Sequence, residues 1–277
     1  MNRVMMKITG NQKIAEKTYF MSLEGDTSAI TKPGQFVNIK LDGFFLRRPI
    51  SVCDCEEGKL SIIYKVVGNG TKKMSELPVG DELDILSGLG NGYDTSKSGE
   101  KPVLIGGGAG VPPMYMLCKK LVAEGKKVTV ILGFNSEKEV FGIDEFKATG
   151  AEVHVTTVDG SVGTKGNVID AIRAEKLTAD IIYACGPTPM LKALKAYAME
   201  NGIECYISLE EKMACGIGAC LGCVCHSKDI DEHSNVRNKR ICKDGPVFRA
   251  EEVELLTPDE QRERIASGIM IKKEEQA

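Results

Sequence analysis

Apolar and polar residues alternate in short runs over the first 96 residues, and turn residues separate the runs. A period of two is typical of strands that bury one face. The runs predict strands over residues 5–8, 17–23, 35–41, 60–67 and 82–86. Short strands at this spacing, punctuated by Pro-Gly, Asp-Gly and Gly-x-Gly turns, indicate a small antiparallel β-barrel.

The pattern changes after a polar stretch at residues 95–101. Short apolar runs then alternate with segments of helical periodicity as far as residue 209. They predict strands over 102–105, 127–134, 152–158, 180–185 and 204–209, helices over 112–124, 167–175 and 189–200, and a helical turn near 144–148. Such alternation is typical of a doubly wound parallel sheet.

The fold class expected is therefore β followed by α/β, with a small cysteine-rich module at the C-terminal side. The expected domains are an antiparallel β-barrel over 1–96, an α/β domain over 97–209, the cysteine-rich module over 210–250 and a charged tail over 251–277. A chain of 277 residues suits about two domains. Leu255, Leu256 and residues 269–271 interrupt the charge of the tail and are compatible with a packed helix.

Composition narrows the classes of function. A net charge of −3 and the lack of a basic run give no reason to expect nucleic acid. No apolar run approaches the length of a membrane span, so no membrane association is expected. The first residues lack the apolar core of a secretory signal, and 10 cysteines in 277 residues are sparse for a disulfide scaffold. A reducing, cytoplasmic setting is the expectation.

Four cysteines carry the most specific signal. Cys215, Cys220 and Cys223 follow the pattern C-x4-C-x2-C, and Cys242 stands further along the chain. This is the plant-type spacing for a 2Fe–2S cluster held by four thiolates. Four thiolates can also hold zinc, but zinc sites usually pair two Cys-x2-Cys hooks. The spacing favours the iron–sulfur cluster, and zinc is the alternative.

The fourth ligand has a competitor in Cys225, two residues after Cys223. Cys225 would need a sharp local turn to reach the same iron pair, whereas an Asp-Gly-Pro turn follows Cys242 and can fix a loop there. We therefore favour Cys242 and expect Cys225 to be a buried thiol. His226 and His233 would suit a Rieske centre, but that centre needs only two cysteines.

A glycine-rich loop lies at residues 106–110, directly after a predicted strand and directly before a predicted helix. Bare backbone there can approach a pyrophosphate, and a helix N-terminus offers free N–H groups. The loop departs from G-x-G-x-x-G, because no glycine stands three residues after Gly108 or Gly110, and Pro112 follows the loop instead. Neither an acidic residue nor an arginine follows the second strand at once, so NAD is favoured over NADP only slightly.

The barrel region holds a second candidate site at residues 47–51, which are expected to end a strand segment. An arginine fork suits a flavin pyrophosphate, and the hydroxyl of Ser51 can reach a flavin ring nitrogen. The alternative is an arginine pair on the surface beside a turn. Residues 63–65 offer a second strand edge, and residues 68–71 offer a second loop suited to phosphate.

Together these motifs resemble the ferredoxin–NADP reductase superfamily: Arg-Pro-x-Ser in the barrel, Gly-x-Gly-Thr after it, GGGAGVPP at the nucleotide loop and Cys-Gly-Pro at a strand end. The cysteine module is similar to that of the electron-transfer subunits of dihydroorotate dehydrogenase B. The resemblance implies that FAD is held by Arg48, Pro49, Ile50, Ser51, Ile63, Tyr64, Lys65, Gly70 and Thr71. It implies that NAD is held by Gly106, Gly107, Gly108, Gly110, Val111, Gly186 and Pro187, with Cys185 facing the nicotinamide, and that the 2Fe–2S ligands are Cys215, Cys220, Cys223 and Cys242.

The resemblance also implies a function in pyrimidine (UMP) biosynthesis. Electrons would travel from the FMN of a separate catalytic subunit through the 2Fe–2S centre and FAD to NAD⁺, in a heterotetramer of two copies of each subunit. The catalytic subunit is a (β/α)₈ barrel of roughly 250 residues, for which this chain has no room. One alternative is a reductase subunit serving ferredoxin, hydrogenase or sulfide chemistry. Another is a zinc-stabilised interaction module without enzymatic activity.

Overall fold

The first part of the chain forms a closed antiparallel barrel in the computed structural model, which describes residues 1–230, 236–256 and 260. The strands lie in the order β1-β2-β5-β4-β3-β6 around the barrel. Their bounds are β1 Asn2–Ala15, β2 Thr18–Glu24, β3 Phe36–Ile39, β4 Arg48–Glu56, β5 Lys59–Lys65 and β6 Glu82–Leu89, with helix α1 Asn69–Ser75 between β5 and β6. The predicted barrel is confirmed.

Side chains at alternate positions of the strands fill the interior of the barrel. Along β6, every second residue from Leu83 to Leu89 is buried, as the period of a strand requires. Met6, Met21, Ile39 and Ile62 point into the same core and are fully enclosed. Because the sheet closes on itself, the barrel leaves no strand edge unpaired.

Two barrel elements differ from the sequence prediction. The segment beginning at Arg48 is the start of the nine-residue strand β4, which pairs with β3 and β5, and not the end of a strand. Residues 68–71 form the entry to α1 and not an open loop. The Thr71 hydroxyl accepts hydrogen bonds from the Val67 and Gly68 N–H groups at 3.0 and 3.3 Å, which closes the turn.

The second part of the chain is the predicted doubly wound domain. Its sheet has the order β10-β9-β8-β7-β11-β12-β15, and all neighbours are parallel except the last pair. The strands are β7 Pro102–Gly107, β8 Thr129–Phe134, β9 Glu152–Thr157, β10 Thr164–Lys165, β11 Ile181–Cys185, β12 Glu204–Ser208 and β15 Val247–Arg249. The helices are α2 Pro112–Ala123, α3 Ile143–Ala148, α4 Val168–Ala174 and α5 Thr188–Glu200.

The cysteine-rich module packs against both preceding parts. Strands β13 Val224–His226 and β14 Asn238–Arg240 form a small hairpin-like sheet, and β15 adds itself antiparallel to β12. Cys223 and Cys242 share one buried apolar cluster with Phe36 of the barrel. The module is therefore held by the barrel on one side and by the α/β sheet on the other.

The tail beyond residue 256 and His233 lie outside the described residues, apart from Glu260. Glu260 accepts hydrogen bonds from Lys192 Nζ on α5 at 2.7 Å. In the part of the chain that is described, no helix has the length and apolar character needed to cross a membrane.

Candidate functional site

A groove runs along the outer face of β4 and β5 and encloses about 350 Å³. We name it the barrel groove. It gathers all but one of the residues predicted to hold FAD, namely Arg48, Pro49, Ile50, Ser51, Ile63, Tyr64, Lys65 and Thr71. The far wall comes from the α/β domain and the cysteine module, through Ala109, Ser208, Leu209, Glu210, Glu211 and Met213.

Gly70 is the remaining predicted residue, and it lies behind Arg48. A Cβ atom on Gly70 would overlap the Arg48 guanidinium, so only glycine lets that side chain lie across the entry to α1. Arg48 Nη1 donates to the Leu46 carbonyl at 2.6 Å, and its cation lies 4.8 Å from the Phe44 ring centroid. These contacts hold one guanidinium at the groove.

Arg47 does not form a fork with Arg48. Arg47 Nη2 instead pairs with Asp84 Oδ1 of β6 at 2.8 Å, and Arg3 pairs with the other carboxylate oxygen. Hydrogen bonds from Arg3, together with those from Arg47, hold the pKa of Asp84 below its usual range despite partial burial. Arg47 therefore braces the barrel, and Arg48 is the arginine available to a ligand.

A second cavity, of about 420 Å³, opens at the carboxyl ends of the parallel strands. We name it the dinucleotide cavity. Gly107, Gly108 and Gly110 line it from the loop after β7, and Gly186 and Pro187 line it from the end of β11. The strand order reverses between β7 and β11, because β8 follows on one side and β12 on the other. Ligands of open α/β sheets bind at such a switch point.

The remaining residues predicted for NAD lie behind the cavity wall. A Cβ atom on Gly106 would meet the Val111 backbone, and one on Gly110 would overlap the Cys185 carbonyl, so both glycines allow close approach of backbone. Pro112 and Pro113 occupy the first turn of α2 and have no N–H groups to offer. The donors available to a phosphate are therefore those of the loop before α2.

An acidic side chain does reach the dinucleotide cavity, although none follows β8 directly. Glu139 arrives from a short 3₁₀ turn and accepts hydrogen bonds from Lys65 Nζ at 2.7 Å and Asn135 Nδ2 at 2.9 Å. The hydrogen bond from Lys65 is the main reason that the pKa of Glu139 lies below its ordinary value. The Lys65–Glu139 ion pair is therefore part of the wall of the dinucleotide cavity.

Cys185 is the last residue of β11, and its side chain is packed in the core of the sheet. Complete burial raises the pKa of its thiol, with a further contribution from the nearby Glu210 carboxylate. Gly186 and Pro187, rather than this thiol, present themselves to the cavity. The structure thus places the Cys-Gly-Pro segment at the site but keeps Cys185 protonated behind it.

Residues 213–223, with Cys242, form a loop whose backbone surrounds sulfur atoms; we name it the cysteine loop. Cys215 Sγ accepts a hydrogen bond from the Ile217 N–H at 3.4 Å, and Cys242 Sγ accepts one from the Gly218 N–H at 3.1 Å. Gly216 and Gly218 have φ of 72° and 85°, conformations that favour glycine. N–H groups directed at sulfur are expected around an iron–sulfur centre.

The four cysteines interact in two pairs. Cys215 pairs with Cys220, and Cys223 pairs with Cys242, whose N–H donates to Cys223 Sγ at 3.4 Å. Burial raises the pKa of Cys215, but hydrogen bonds from the Ile217 N–H and the Cys220 thiol outweigh it and lower that pKa to about 6. Burial, together with the adjacent Cys223, raises the pKa of Cys242 to about 12.

Two pairs of cysteines are the arrangement that a two-iron centre needs. A two-iron centre needs two thiolates at each iron, whereas tetrahedral zinc needs all its ligands on one ion.

Cys225 belongs to neither pair. It lies on β13 opposite Lys239 of β14, and its side chain packs against the apolar cluster that underlies the module. Burial raises the pKa of its thiol to about 12. The structure therefore brings Cys242, and not Cys225, into the group with the C-x4-C-x2-C cysteines.

Glu210 is a site residue that the sequence did not reveal. It follows β12 and lines both the barrel groove and the dinucleotide cavity, together with Lys65 and Ala109. Its side chain is open to these cavities, while their walls surround it closely enough that burial raises the pKa of the carboxyl. In the sequence, Glu210 looks like the first charged residue after a strand, so only the tertiary structure reveals it.

Comparison with known proteins agrees with this arrangement. Residues 104–196 match the model of an oxidoreductase NAD-binding domain, and residues 210–254 match that of the iron-sulfur cluster binding domain of dihydroorotate dehydrogenase B. A solved structure of NADH-dependent reduced ferredoxin-NADP oxidoreductase superposes with a TM-score of 0.80 at 33% identity, covering 95% of this chain and 93% of that one.

Two curated relatives are the dihydroorotate dehydrogenase B (NAD(+)) electron transfer subunits of Fusobacterium nucleatum and Bacillus caldolyticus. The first is 48% identical over 257 residues, which is 88% of this chain and 96% of the relative. The second is 44% identical over 261 residues, which is 91% of this chain and 99% of the relative. The chain belongs to the family of dihydroorotate dehydrogenase B electron transfer subunits.

Proposed function

We propose that this chain is the NAD-reducing electron-transfer subunit of a dihydroorotate dehydrogenase in pyrimidine biosynthesis. The observation that carries the proposal is that the dinucleotide cavity, the barrel groove and the cysteine loop adjoin one another in this order. The dinucleotide cavity and the barrel groove share Lys65, Ala109 and Glu210, and Met213 connects the groove with the cysteine loop. When bound, FAD joins the two-electron chemistry of nicotinamide to the one-electron chemistry of a 2Fe–2S centre.

Each part of the chain has its own task in this proposal. Residues 1–96 hold FAD in the barrel groove through the predicted flavin residues, and Arg48 provides the cation for the pyrophosphate. Residues 97–209 bind NAD at the glycine loop and the Cys-Gly-Pro segment, while residues 210–250 hold the cluster with Cys215, Cys220, Cys223 and Cys242.

The residues around the junction of the sites position the ligands and exclude water. Lys65 and Glu139 form an ion pair at 2.7 Å, so these two side chains together add little net charge to the wall between groove and cavity. Phe36, Leu209 and Pro246 add apolar surface at the groove. This setting keeps water away from the reacting atoms and strengthens the electrostatic interactions of the ligands.

The cysteine loop supports the proposal of an FMN-containing catalytic partner in a heterotetramer. Cys220 is exposed, and Ile217 and Leu221 beside it are 43% and 50% exposed. Exposed apolar side chains around a cluster ligand suit a surface that another subunit covers. Electrons from the partner then enter beside Cys220.

The experiment compares the isolated chain with the chain co-expressed with a catalytic subunit from a dihydroorotate dehydrogenase B. The isolated chain should oxidise NADH with artificial acceptors and should not turn over dihydroorotate. The co-purified complex should contain FMN and reduce NAD⁺ with dihydroorotate. Dihydroorotate turnover by the isolated chain would contradict this division of tasks.

A second candidate is a reductase subunit serving ferredoxin, hydrogenase or sulfide chemistry. The structural similarity to an NADH-dependent reduced ferredoxin-NADP oxidoreductase over 95% of the chain favours it, although the identity of 33% is lower than that of the dihydroorotate dehydrogenase relatives. Pull-down from the native cell separates the candidates, because the first predicts an FMN barrel protein as the partner.

A further inference from the structure

One polar side chain lies between the barrel and the cysteine loop. Asn38 is 1% exposed, and neither its Nδ2 nor its Oδ1 has a hydrogen-bond partner among the residues that the structure describes. Burial of an amide without partners is destabilising, so such groups call for an explanation. Ser87 Oγ is the other buried side-chain atom without a hydrogen-bond partner in the described part of the chain.

The cross-strand neighbours of Asn38 are apolar. It is on β3, opposite Pro49 of β4 and Leu86 of β6. Phe36, two residues earlier on the same strand face, packs in the apolar cluster that contains Cys223 and Cys242. An apolar residue at position 38 would therefore suit this contact better than an amide.

The amide is directed at the cysteine loop. A Cβ atom added to Gly216 would lie 2.5 Å from Asn38 Nδ2 and 3.5 Å from its Cγ. Gly216 directly follows Cys215, and the next residue donates its N–H to the Cys215 sulfur. The unpartnered donor therefore lies within one residue of a proposed cluster ligand, on the side of the loop that faces the barrel.

We propose that Asn38 Nδ2 donates a hydrogen bond to a sulfur of the cluster held by the cysteine loop, and thereby raises the reduction potential of that cluster. Reduction adds negative charge to the cluster, and a donor at sulfur stabilises the reduced form more than the oxidised form. The backbone N–H groups of the loop already act in this way, and Asn38 adds a donor from a different domain. The inference rests on the proposed function, because it requires the cluster.

The test measures the cluster potential in the complete, cluster-loaded protein. Asn38→Leu removes the donor and keeps a similar volume, and Asn38→Asp keeps the shape but replaces the amide with an acceptor. Both variants should hold less reduced cluster than the wild type at the same applied potential, as followed by electron paramagnetic resonance. A roughly tenfold fall in the ratio of reduced to oxidised cluster corresponds to about 59 mV for one electron.

Three controls give the result its meaning. Ser87→Ala removes the other unpartnered buried polar atom and should leave the cluster potential unchanged. The FAD potential, followed by absorbance, should stay the same in all variants. Iron analysis separates failure of this inference from failure of the proposed function. A chain without iron at the four cysteines would contradict the proposed function, whereas a loaded cluster with an unchanged potential would contradict only the inference.

A second, spectroscopic measurement detects the hydrogen bond itself. Asparagine labelled with ¹⁵N at the side-chain amide should produce a ¹⁵N coupling in the pulsed resonance spectrum of the reduced cluster, and Asn38→Asp should remove it. An unchanged cluster potential in both Asn38 variants, a shift confined to FAD, or the lack of that coupling would overturn the proposal.

Discussion

The barrel groove and the cysteine loop lie side by side but are built differently. Residues 48–51 and 63–65 are on strands whose backbone groups are fixed by the ladders of a closed barrel. In the cysteine loop, N–H groups of Ile217 and Gly218 donate to sulfur atoms instead of carbonyls. The groove thus takes its shape mainly from the barrel strands, whereas the centre of the loop is organised by its thiols.

This difference predicts which site should keep its structure when its ligand is removed. A groove on paired strands keeps its geometry without FAD, because every neighbouring strand still pairs. A loop organised around sulfur loses its centre when the iron leaves, as in small metal sites whose binding energy is also folding energy. Loss of iron should therefore change the structure of the loop and leave the pairing of the barrel strands unchanged.

The largest effect is expected from Cys242→Ala. It removes a thiolate that accepts the Gly218 N–H, so the 2Fe–2S signal in electron paramagnetic resonance should be abolished. FAD should remain bound with unchanged stoichiometry, because most of the predicted FAD residues lie on barrel strands, and Met213 is the residue of the loop that lines the groove. Cys225→Ala is the matched control and should keep the signal, since Cys225 belongs to neither thiol pair. Loss of the signal in the control, with retention in Cys242→Ala, would reverse the choice of ligand.

A smaller effect, on the other site, is expected from Gly70→Ala. The new Cβ atom would displace the Arg48 side chain, and the affinity for FAD should fall by about tenfold, the value of one lost charge-assisted hydrogen bond. The cluster signal should be unaffected. Gly68→Ala is the control, because a Cβ atom there meets nothing within 4 Å. Flavin titration by fluorescence measures both variants, and equal affinities would contradict the role of Arg48.

The smallest effect concerns the barrel alone. Asp84→Asn removes the partner of Arg47 and Arg3 and should lower the free energy of unfolding by about 1 kcal/mol at pH 7. Because the folded-state pKa of Asp84 is depressed, its contribution is present above the unfolded-state value near 3.8 and is lost as pH falls through the folded value. Denaturant unfolding at several pH values should show the two proteins converging in acid. A constant difference would contradict this origin.

Local patterns made much of the molecule predictable. The spacing of Cys215, Cys220 and Cys223 is a property of nine adjacent residues, and the glycine loop was recognisable because a strand precedes it and a helix follows. The alternation along β6 and the helical periods of the second domain gave the fold class in the same way. The separate roles of Arg47 and Arg48 were harder to predict, because only the ion pair of Arg47 with Asp84 in the folded protein distinguishes them.

What the sequence concealed depends on contacts between distant segments. Glu139 reaches the dinucleotide cavity because a 3₁₀ turn brings it back to Lys65, which is 74 positions earlier. Glu210 and Asn38 have unremarkable neighbours in the chain and gain their meaning from the cavities and the loop that face them. No local period encodes such meetings, so they could not be predicted from one sequence.

Strand β15 gives the cysteine-rich module a structural role besides electron transfer. It pairs with β12 through Val247, Phe248 and Arg249, and so covers the last parallel strand of the sheet. An uncovered strand edge offers unpaired N–H and carbonyl groups on which another chain can assemble. A chain truncated after residue 209 would expose that edge, and light scattering should reveal self-association. The cysteine-rich module thus also covers a strand edge on which a second copy of the chain could otherwise pair.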